Sequence, residues 1–151
     1  AGLTFDSWAE EVIIEKYIVK VDNVAPYEPG CFYKRELPCI LELVYSLPKM
    51  PEIIVIDGYV TLGNDEKEGL GAHLYSALNS NIPVIGVAKN RFAGTPGKNE
   101  VYRGQSRQPL FVTCKGVDIN DAKEFVRKMH GEHRLPTLIK AVDRECRGAI
   151  T

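Results

Sequence analysis

Short apolar runs alternate with helical stripes of apolar residues along the middle of the chain. Residues 53–56, bounded by Pro51 and Gly58, are apolar and β-branched, which predicts a buried strand that ends in Asp57. Residues 83–88 are also mostly apolar and predict a second buried strand. Residues 70–78 lie between them and repeat leucine and alanine at helical spacing. The order strand, helix, strand predicts a parallel pair joined by a right-handed crossover.

The two ends of the chain supply the other predicted elements. Residues 3–5 and 12–24 are rich in valine, isoleucine, tyrosine and threonine, and residues 7–10 favour a turn between them, which predicts a hairpin. Residues 58–68 are mostly polar and predict a surface loop beside Asp57. Further predictions are a helix over 37–47, a long loop or weak hairpin over 90–108, a strand over 110–114, a helix over 120–129 capped by Asn120, and a helix over 137–147. This pattern favours a single α/β domain with a mixed β-sheet flanked by helices.

Composition and charge narrow the class of protein. At 151 residues and 44% hydrophobic content, the chain is long enough for one sizeable core. Its formal net charge of −1 argues weakly against a nonspecific binder of phosphate groups. No run approaches the roughly 18 consecutive apolar residues that cross a bilayer, so membrane insertion is not expected. The four cysteines contain no Cys-x-x-Cys pair and no signal-like segment is seen, which favours reduced thiols in a cytoplasmic protein.

The densest positive charge lies in one segment between two predicted strands. Its basic residues are Lys89, Arg91, Lys98, Arg103 and Arg107. A basic cluster on a glycine-bearing loop is suited to contact phosphate groups. It therefore speaks against a domain that has no nucleic-acid role.

Three acidic residues are candidates for one metal site. Asp57 ends a predicted buried strand, a position that usually faces a crevice. Asp6 shares a strand face with Thr4, so it meets Asp57 if the first strand neighbours that of Asp57. Glu36, delivered by a structured loop, is the third, and three carboxylates would suit two Mg²⁺ ions about 4 Å apart in phosphodiester hydrolysis. In the alternative interpretation each acid is a solvated strand or helix end.

Three other residues are candidates that also have an ordinary structural interpretation. Lys89 directly follows a predicted strand, so it either contacts a scissile phosphate as a point charge or is solvated. His73, on the helix predicted over 70–78, can act as a base or hydrogen-bond donor, although a lone histidine is more often structural. Tyr27 lies between two prolines and either wedges between bases or covers the edge of the core.

Several short motifs occur together in one order. They are Pro-Tyr-Glu-Pro-Gly (26–30), Arg-Glu-Leu-Pro (35–38), Val-Ile-Asp-Gly (55–58), Gly-Leu-Gly-Ala-His-Leu (69–74) and Ile-Pro-Val-Ile-Gly-Val-Ala-Lys (82–89), with weaker echoes at 109–113 and 134–137. In this order and near this spacing they resemble the endonuclease V family, whose members cut inosine-containing nucleic acid and have a ribonuclease H-like fold. The resemblance covers most of the chain.

This resemblance implies a reaction and a set of site residues. The expected reaction is hydrolysis, dependent on Mg²⁺ or Mn²⁺, of the phosphodiester one nucleotide 3′ of inosine in DNA or RNA. Glu36 and Asp57 are the implied metal ligands, with Asp6 as the third carboxylate. His73 and Lys89 would stand beside the scissile phosphate, which completes the expected catalytic set. The expected substrate-binding residues are Tyr27 as a wedge, Pro29 and Gly30 in the pocket for the extruded base, Arg35, Gly58 and Gly69, with Asp143 as an accessory acidic position.

The chain also departs from the family pattern at two places. Its first acidic residue, Asp6, comes two residues later than the family's, since Thr4 stands at the family position. Residues 59–63 replace the glycine and histidine that follow Asp-Gly in the family. A diverged homologue that binds nucleic acid or modified nucleotides with little cleavage is therefore an alternative. A soluble interaction domain without a nucleic-acid role is a third interpretation.

Overall fold

The computed structural model describes residues 1–9, 15–19 and 32–148, apart from the side chain of Phe32. In chain order its elements are β1 (Gly2–Thr4), β2 (Glu15–Tyr17), α1 (Phe32–Ser46), β3 (Ile54–Asp57), β4 (Thr61–Leu62), β5 (Lys67–Glu68), α2 (Leu70–Ala77), β6 (Val84–Ala88), β7 (Glu100–Val101), β8 (Leu110–Lys115), α3 (Ile119–Lys128) and α4 (Thr137–Gly148). A short 3-10 turn, Gly97–Asn99, precedes β7. Among the described residues, no helix is long and apolar enough to span a membrane.

The centre of the fold is a mixed four-stranded sheet in the order β3-β6-β8-β7. β3 pairs in parallel with β6, and β8 runs antiparallel to both β6 and β7. Because α2 connects β3 to β6, the predicted strand-helix-strand unit with parallel pairing is confirmed. All five residues of β6 are buried, which is why its sequence is an uninterrupted apolar run.

Helices cover both faces of this sheet, and the hydrophobic core lies in two halves. On one face, α1 and α2 share a buried cluster with the sheet that includes Leu74 and Val84. On the other face, the corresponding cluster with α3 and α4 includes Val126 and Ile85. Successive residues of β6 therefore point into opposite halves of the core. The predicted mixed α/β sheet flanked by helices is confirmed.

Helix α1 begins earlier than the sequence predicts. It covers Phe32–Ser46 rather than 37–47, and Pro38 lies inside it. Proline removes one backbone donor from a helix interior, so it normally marks a helix boundary. Here the apolar stripe of α1 begins at Tyr33 and packs against the α2 half of the core, and this burial outweighs the lost hydrogen bond. Glu36 therefore lies on a helix, and its predicted position in a loop is wrong.

Strand β1 forms a separate two-stranded sheet with β2. The pairing is antiparallel, with Thr4 opposite Glu15, which confirms the predicted hairpin over its described part. Within the described ranges β1 has no hydrogen-bonded ladder with β3, whose partner is β6. β1 instead reaches the core through Leu3, and Phe5 directly after the strand packs against the same α3 and α4 half. The predicted condition for Asp6 to meet Asp57, that their strands are neighbours, is therefore not met.

Two local predictions are wrong in detail. The cap of α3 is Asp118 rather than Asn120, because the helix begins one residue early and the Asp118 carboxylate accepts the Asn120 N–H at 2.8 Å. Residues 58–68 are more than a surface loop, since they form the ribbon β4-β5 and bury Val60 completely.

Val60 is seated where three glycines come together. An added Cβ at Gly71 would lie 2.5 Å from a Val60 methyl carbon, and at Gly69 it would lie 3.1 Å from the Val60 carbonyl oxygen. At Gly86, in the middle of β6, it would lie 2.4 Å from the Gly58 carbonyl oxygen. The chain after β3 is therefore packed backbone against backbone on α2 and β6. We call residues 58–60 the seated segment.

We expect Gly86→Ala to lower the free energy of unfolding by about 3 kcal/mol, because the methyl group meets backbone atoms that cannot move aside cheaply. Urea or guanidinium unfolding measures the change. Gly97→Ala is the matched control, since an added Cβ there meets no atom within 4 Å. Its expected effect is within about 0.5 kcal/mol. Equal stabilities of the two variants would contradict this packing.

Candidate active site at the carboxyl end of the sheet

Two oppositely charged side chains meet at the carboxyl ends of the parallel strands. Asp57 is the last residue of β3, and Lys89 is the first residue after β6. Because these strands are parallel neighbours, their carboxyl ends lie at the same edge of the sheet. Lys89 Nζ lies 3.2 Å from Asp57 Oδ2, and 29% and 32% of the two side chains are exposed. The structure therefore brings these two predicted site residues together in a place that is partly shielded and still open to solvent.

Gly58 gives the chain a sharp exit from β3 beside this pair. Its φ is +155°, a value that favours glycine, and its N–H donates to the Val87 carbonyl oxygen at 3.0 Å. An added Cβ would meet no atom within 4 Å, so the α-carbon borders open space. A substrate group can approach the backbone here, and the substrate role of Gly58 stays a prediction.

Gly69 serves the seated segment instead. The N–H groups of Gly69 and Ala72 donate to the Val60 carbonyl oxygen at 2.9 and 3.2 Å, and that of Gly71 donates to the Tyr59 carbonyl oxygen at 3.1 Å. N–H groups at the start of a helix have no partner within the helix and can bind anions. Because protein carbonyls occupy these donors, the start of α2 is closed to a phosphate group. The described contacts of Gly69 are therefore structural.

His73 links α2 to α1. Its ring stacks on Tyr33 with centroids 3.6 Å apart and planes 12° apart, and its Nδ1 lies 4.0 Å from Glu68 Oε2. Tyr33 stands three residues before Glu36 on α1, so the stack holds the helix that carries Glu36. His73 thus has a packing role on its ring face, and its contact with a scissile phosphate stays a prediction.

The structure does not gather Asp6, Glu36 and Asp57 into one metal site. Across residues 1–9, 15–19 and 32–148, no group of three histidine, cysteine, aspartate or glutamate residues could hold a metal ion. For Asp6 the cause is that β1 pairs with β2 rather than with β3. Asp57 is paired with Lys89. The carboxylates have the donor chemistry of a hard-cation site, but in this arrangement they do not form a complete ligand set.

The remaining predicted site residues are placed as follows. Tyr27, Pro29 and Gly30, the predicted wedge and base pocket, lie outside the described residues. Arg35 is exposed on α1. Asp143, on α4, forms an ion pair with Arg147 at 3.1 Å.

Protein carboxylates already pair with much of the predicted basic cluster. Arg91 Nη1 lies 2.9 Å from Glu100 Oε1, and Lys98 Nζ lies 3.6 Å from Glu66 Oε1. Lys89 is paired with Asp57 as described above. Three of the five basic residues therefore stand in separate ion pairs rather than in one patch of uncompensated positive charge.

Arg103 is not a surface cation, because only 4% of it is exposed. Its guanidinium donates to the carbonyl oxygens of His133 at 2.7 Å, Gly131 at 2.8 Å and Met129 at 2.5 Å. Burial lowers the pKa of Arg103 from its ordinary value. The prediction that Arg103 contacts phosphate is wrong, since these bonds fix the turn between α3 and α4 instead.

The sequence-based set of site residues missed two side chains beside Lys89. The Tyr59 hydroxyl donates to the Asn90 carbonyl oxygen at 2.7 Å. Arg134 Nη2 donates to the Lys89 carbonyl oxygen. Tyr59 carried no signal beyond its departure from the family pattern, whereas Arg134 opens the motif echo at 134–137 and could have been found from it.

The sheet order with helices on both faces defines the chain as a ribonuclease H-like α/β protein. A family model described as Endonuclease V matches residues 1–110. A curated endonuclease V from Streptomyces avermitilis is 32% identical over 170 residues, which is 99% of this chain and 72% of the relative. The chain therefore belongs to the endonuclease V family.

Solved structures of related proteins agree with this fold. The crystal structure of the Streptomyces avermitilis endonuclease V has a TM-score of 0.66 over 83% of this chain and 62% of its own, at 32% identity. Human ENDOV has a TM-score of 0.72 at 21% identity, covering 92% of this chain and 72% of its own. A Ciona intestinalis endonuclease V in complex with inosine-containing DNA has a TM-score of 0.70 at 21% identity, covering 91% of this chain and 72% of its own. Across the first three curated relatives, the chain spans 72%, 61% and 33% of their length.

We expect Arg103→Lys to lower the free energy of unfolding by roughly 2–4 kcal/mol, because one ammonium group cannot satisfy three separated buried carbonyl oxygens. Chemical unfolding measures the loss. The control is Arg107→Lys at an exposed position of the same cluster, with an expected change within about 0.5 kcal/mol. An unchanged Arg103→Lys protein would show that these hydrogen bonds do not hold the turn.

Proposed function

We propose that this chain is a metal-dependent endonuclease that hydrolyses the phosphodiester one nucleotide 3′ of inosine in DNA or RNA. The observation that carries the proposal is the Asp57 and Lys89 pair at the carboxyl ends of two parallel strands, in a member of the endonuclease V family. Support for the substrate comes from the Ciona intestinalis relative, whose structure contains inosine-bearing DNA. A cytoplasmic location fits this role and is part of the proposal.

The family implies a divalent metal, and Mg²⁺ is the proposed ion, with Mn²⁺ as its substitute. Asp57, at a strand end and one third exposed, has the oxygen donors that a hard cation prefers. Asp6 and Glu36 are the other proposed carboxylates. Because the described structure does not bring the three together, their coordination of an ion stays a prediction. The roles below belong to the protein's own side chains.

Lys89 is the proposed cation for the scissile phosphate. Its ammonium group stands at the sheet edge with 29% of the side chain exposed, so a phosphate oxygen can reach it from solvent. A lysine is a compact point charge that suits one phosphate oxygen at a time. Asp57 orients this ammonium group at 3.2 Å in the structure. The pair therefore places a positive charge, the Lys89 ammonium group, where the substrate backbone would lie.

His73 is proposed to contact the substrate from α2, on the face of the sheet that α1 and α2 cover. The Tyr33 ring covers one face of its imidazole and Glu68 lies 4.0 Å from Nδ1, which together limit how the ring can turn. A ring fixed in this way can present its other nitrogen in a constant direction. That nitrogen is the proposed hydrogen-bond partner of the substrate.

Cleavage of end-labelled single-stranded DNA and RNA, each with one inosine, in Mg²⁺ tests this function. We expect cutting one nucleotide 3′ of inosine, and Asp57→Asn to reduce the rate by at least about 100-fold, because an amide lacks the charge of the carboxylate. Asp121→Asn is the matched control, since Asp121 is exposed on α3 and is expected to keep the full rate.

The cleavage rates of the DNA strand and the RNA strand in this assay also show which nucleic acid is preferred. If the protein binds the inosine strand without cutting it, the proposed function is rejected in favour of a diverged homologue that binds nucleic acid with little cleavage. If the protein neither binds nor cuts either strand, both functions are rejected.

A further inference from the structure

We infer that Arg134 is a positioning residue that fixes Lys89 by bridging the main chain of two strands. Arg134 Nη2 donates to the carbonyl oxygens of both Lys89 and Pro109, the second at 2.8 Å. Its Nε also donates to the Pro109 carbonyl oxygen, at 3.3 Å. The bridge therefore ends on the backbone of the residue that carries the proposed phosphate-binding cation. The inference rests on the proposed function of Lys89.

The bridge stands where the ladder between β6 and β8 stops. The last paired residues at this end are Ala88 and Phe111. Lys89 follows β6 and Pro109 precedes β8, and proline has no N–H with which to continue the ladder. The Arg134 guanidinium instead donates to the carbonyl oxygens of Lys89 and Pro109 at this end. The exit of β6 is thereby held to the start of β8 although the regular pairing has ended.

Arg134 is itself held from the core side. Arg103, almost fully buried, donates to the carbonyl oxygens of His133 at 2.7 Å and of Arg134 at 3.3 Å. The main chain at Arg134 is therefore tied to a buried guanidinium, and its side chain to the strand ends. A continuous set of hydrogen bonds runs from the core through Arg103 and Arg134 to the backbone of Lys89.

This set matters for Lys89 because its side chain is long and flexible. The four-carbon chain lets the ammonium group reach many positions, and a fixed backbone narrows this range around Asp57 Oδ2, which lies 3.2 Å from Nζ. A planar guanidinium can bind two carbonyl oxygens at once, which a single ammonium group does poorly. Arg134 thus acts through Lys89 and does not need to touch the substrate.

A double-mutant cycle tests this coupling. The variants are Arg134→Lys, Lys89→Met and the two combined, assayed as single-turnover cleavage at saturating inosine DNA. We expect Arg134→Lys to slow cleavage about 10- to 100-fold. Its dissociation constant for the DNA should change less than about 3-fold, since Arg134 makes no proposed substrate contact. In the Lys89→Met background the same change should have no further effect.

The matched control is Arg127→Lys, at an exposed arginine of α3 that pairs with Glu124 at 2.8 Å. It should leave rate and binding unchanged. If Arg134→Lys slows cleavage by the same factor in the Lys89→Met background as in the unaltered protein, the inference is overturned. Equal factors would mean that the effect of Arg134 on the rate does not depend on Lys89. A full cleavage rate in Arg134→Lys would overturn it as well.

A second readout does not depend on cleavage. The side-chain ammonium and Cε resonances of Lys89 in the labelled protein report the position of this group by NMR. We expect Arg134→Lys to shift or broaden them and Arg127→Lys to leave them unchanged. If the unaltered protein cuts nothing but the Lys89 resonances still respond, the proposed function fails while the positioning role stands. Lys89 resonances that are the same in Arg134→Lys would overturn the positioning role even if cleavage is observed.

Discussion

The backbone packing of residues 58–60 is the constraint on which the rest of the site depends. The Val60 N–H donates to Thr113 Oγ1 at 2.8 Å in the core, and the carbonyl oxygens of Tyr59 and Val60 accept the first N–H groups of α2. This one segment therefore satisfies the start of a helix and joins it to the strand that ends in Asp57. Glycines are needed around it because any Cβ would separate these backbones. Asp57 is thus presented from a rigid support although its own side chain is one third exposed.

Contacts within the protein also determine which positive charges can face a substrate. A helix start is a ready anion site, but that of α2 is filled by protein carbonyls. Arg103 is buried against four other carbonyls, and Arg91 and Lys98 are paired with glutamates. Within the described part of the chain, Lys89 is the residue of the basic cluster at 89–107 that directly follows β6, and it stands beside Asp57 at the end of β3. A net charge of −1 is compatible with such a site, because one well-placed ammonium group acts locally and does not require a basic surface.

The sequence predicts the centre of the fold well because burial on both faces of a strand leaves an unbroken apolar run. β6 was predictable for that reason, and α2 was predictable from the helical spacing of its leucine and alanine residues. Asp57 and Lys89 could be placed at the two strand ends from chain order alone. The start of α1 was not predictable from the sequence, since Pro38 is a local signal against a helix. The burial of Tyr33, which overrides this signal, is a tertiary effect. The sequence could not show whether the three carboxylates come together for a related reason: spacing along a strand does not reveal which strand will be its neighbour. A count of basic residues likewise does not distinguish a buried Arg103 from a solvated arginine.

The departure of residues 59–63 from the family pattern has a physical explanation in the same packing. The seated segment contributes its carbonyl oxygens and N–H, which any residue provides, and at Val60 a small apolar side chain that fills the space beside Gly71. Tyr59 turns its hydroxyl to the Asn90 carbonyl oxygen and the Phe92 N–H, and so holds the chain that follows Lys89. Substitution in this segment therefore changes what its side chains offer to a substrate while the support of Asp57 is kept. The backbone around Lys89 is therefore held by side-chain hydrogen bonds, from Tyr59 to the Asn90 carbonyl oxygen and from Arg134 to the Lys89 carbonyl oxygen, without a histidine in residues 59–63.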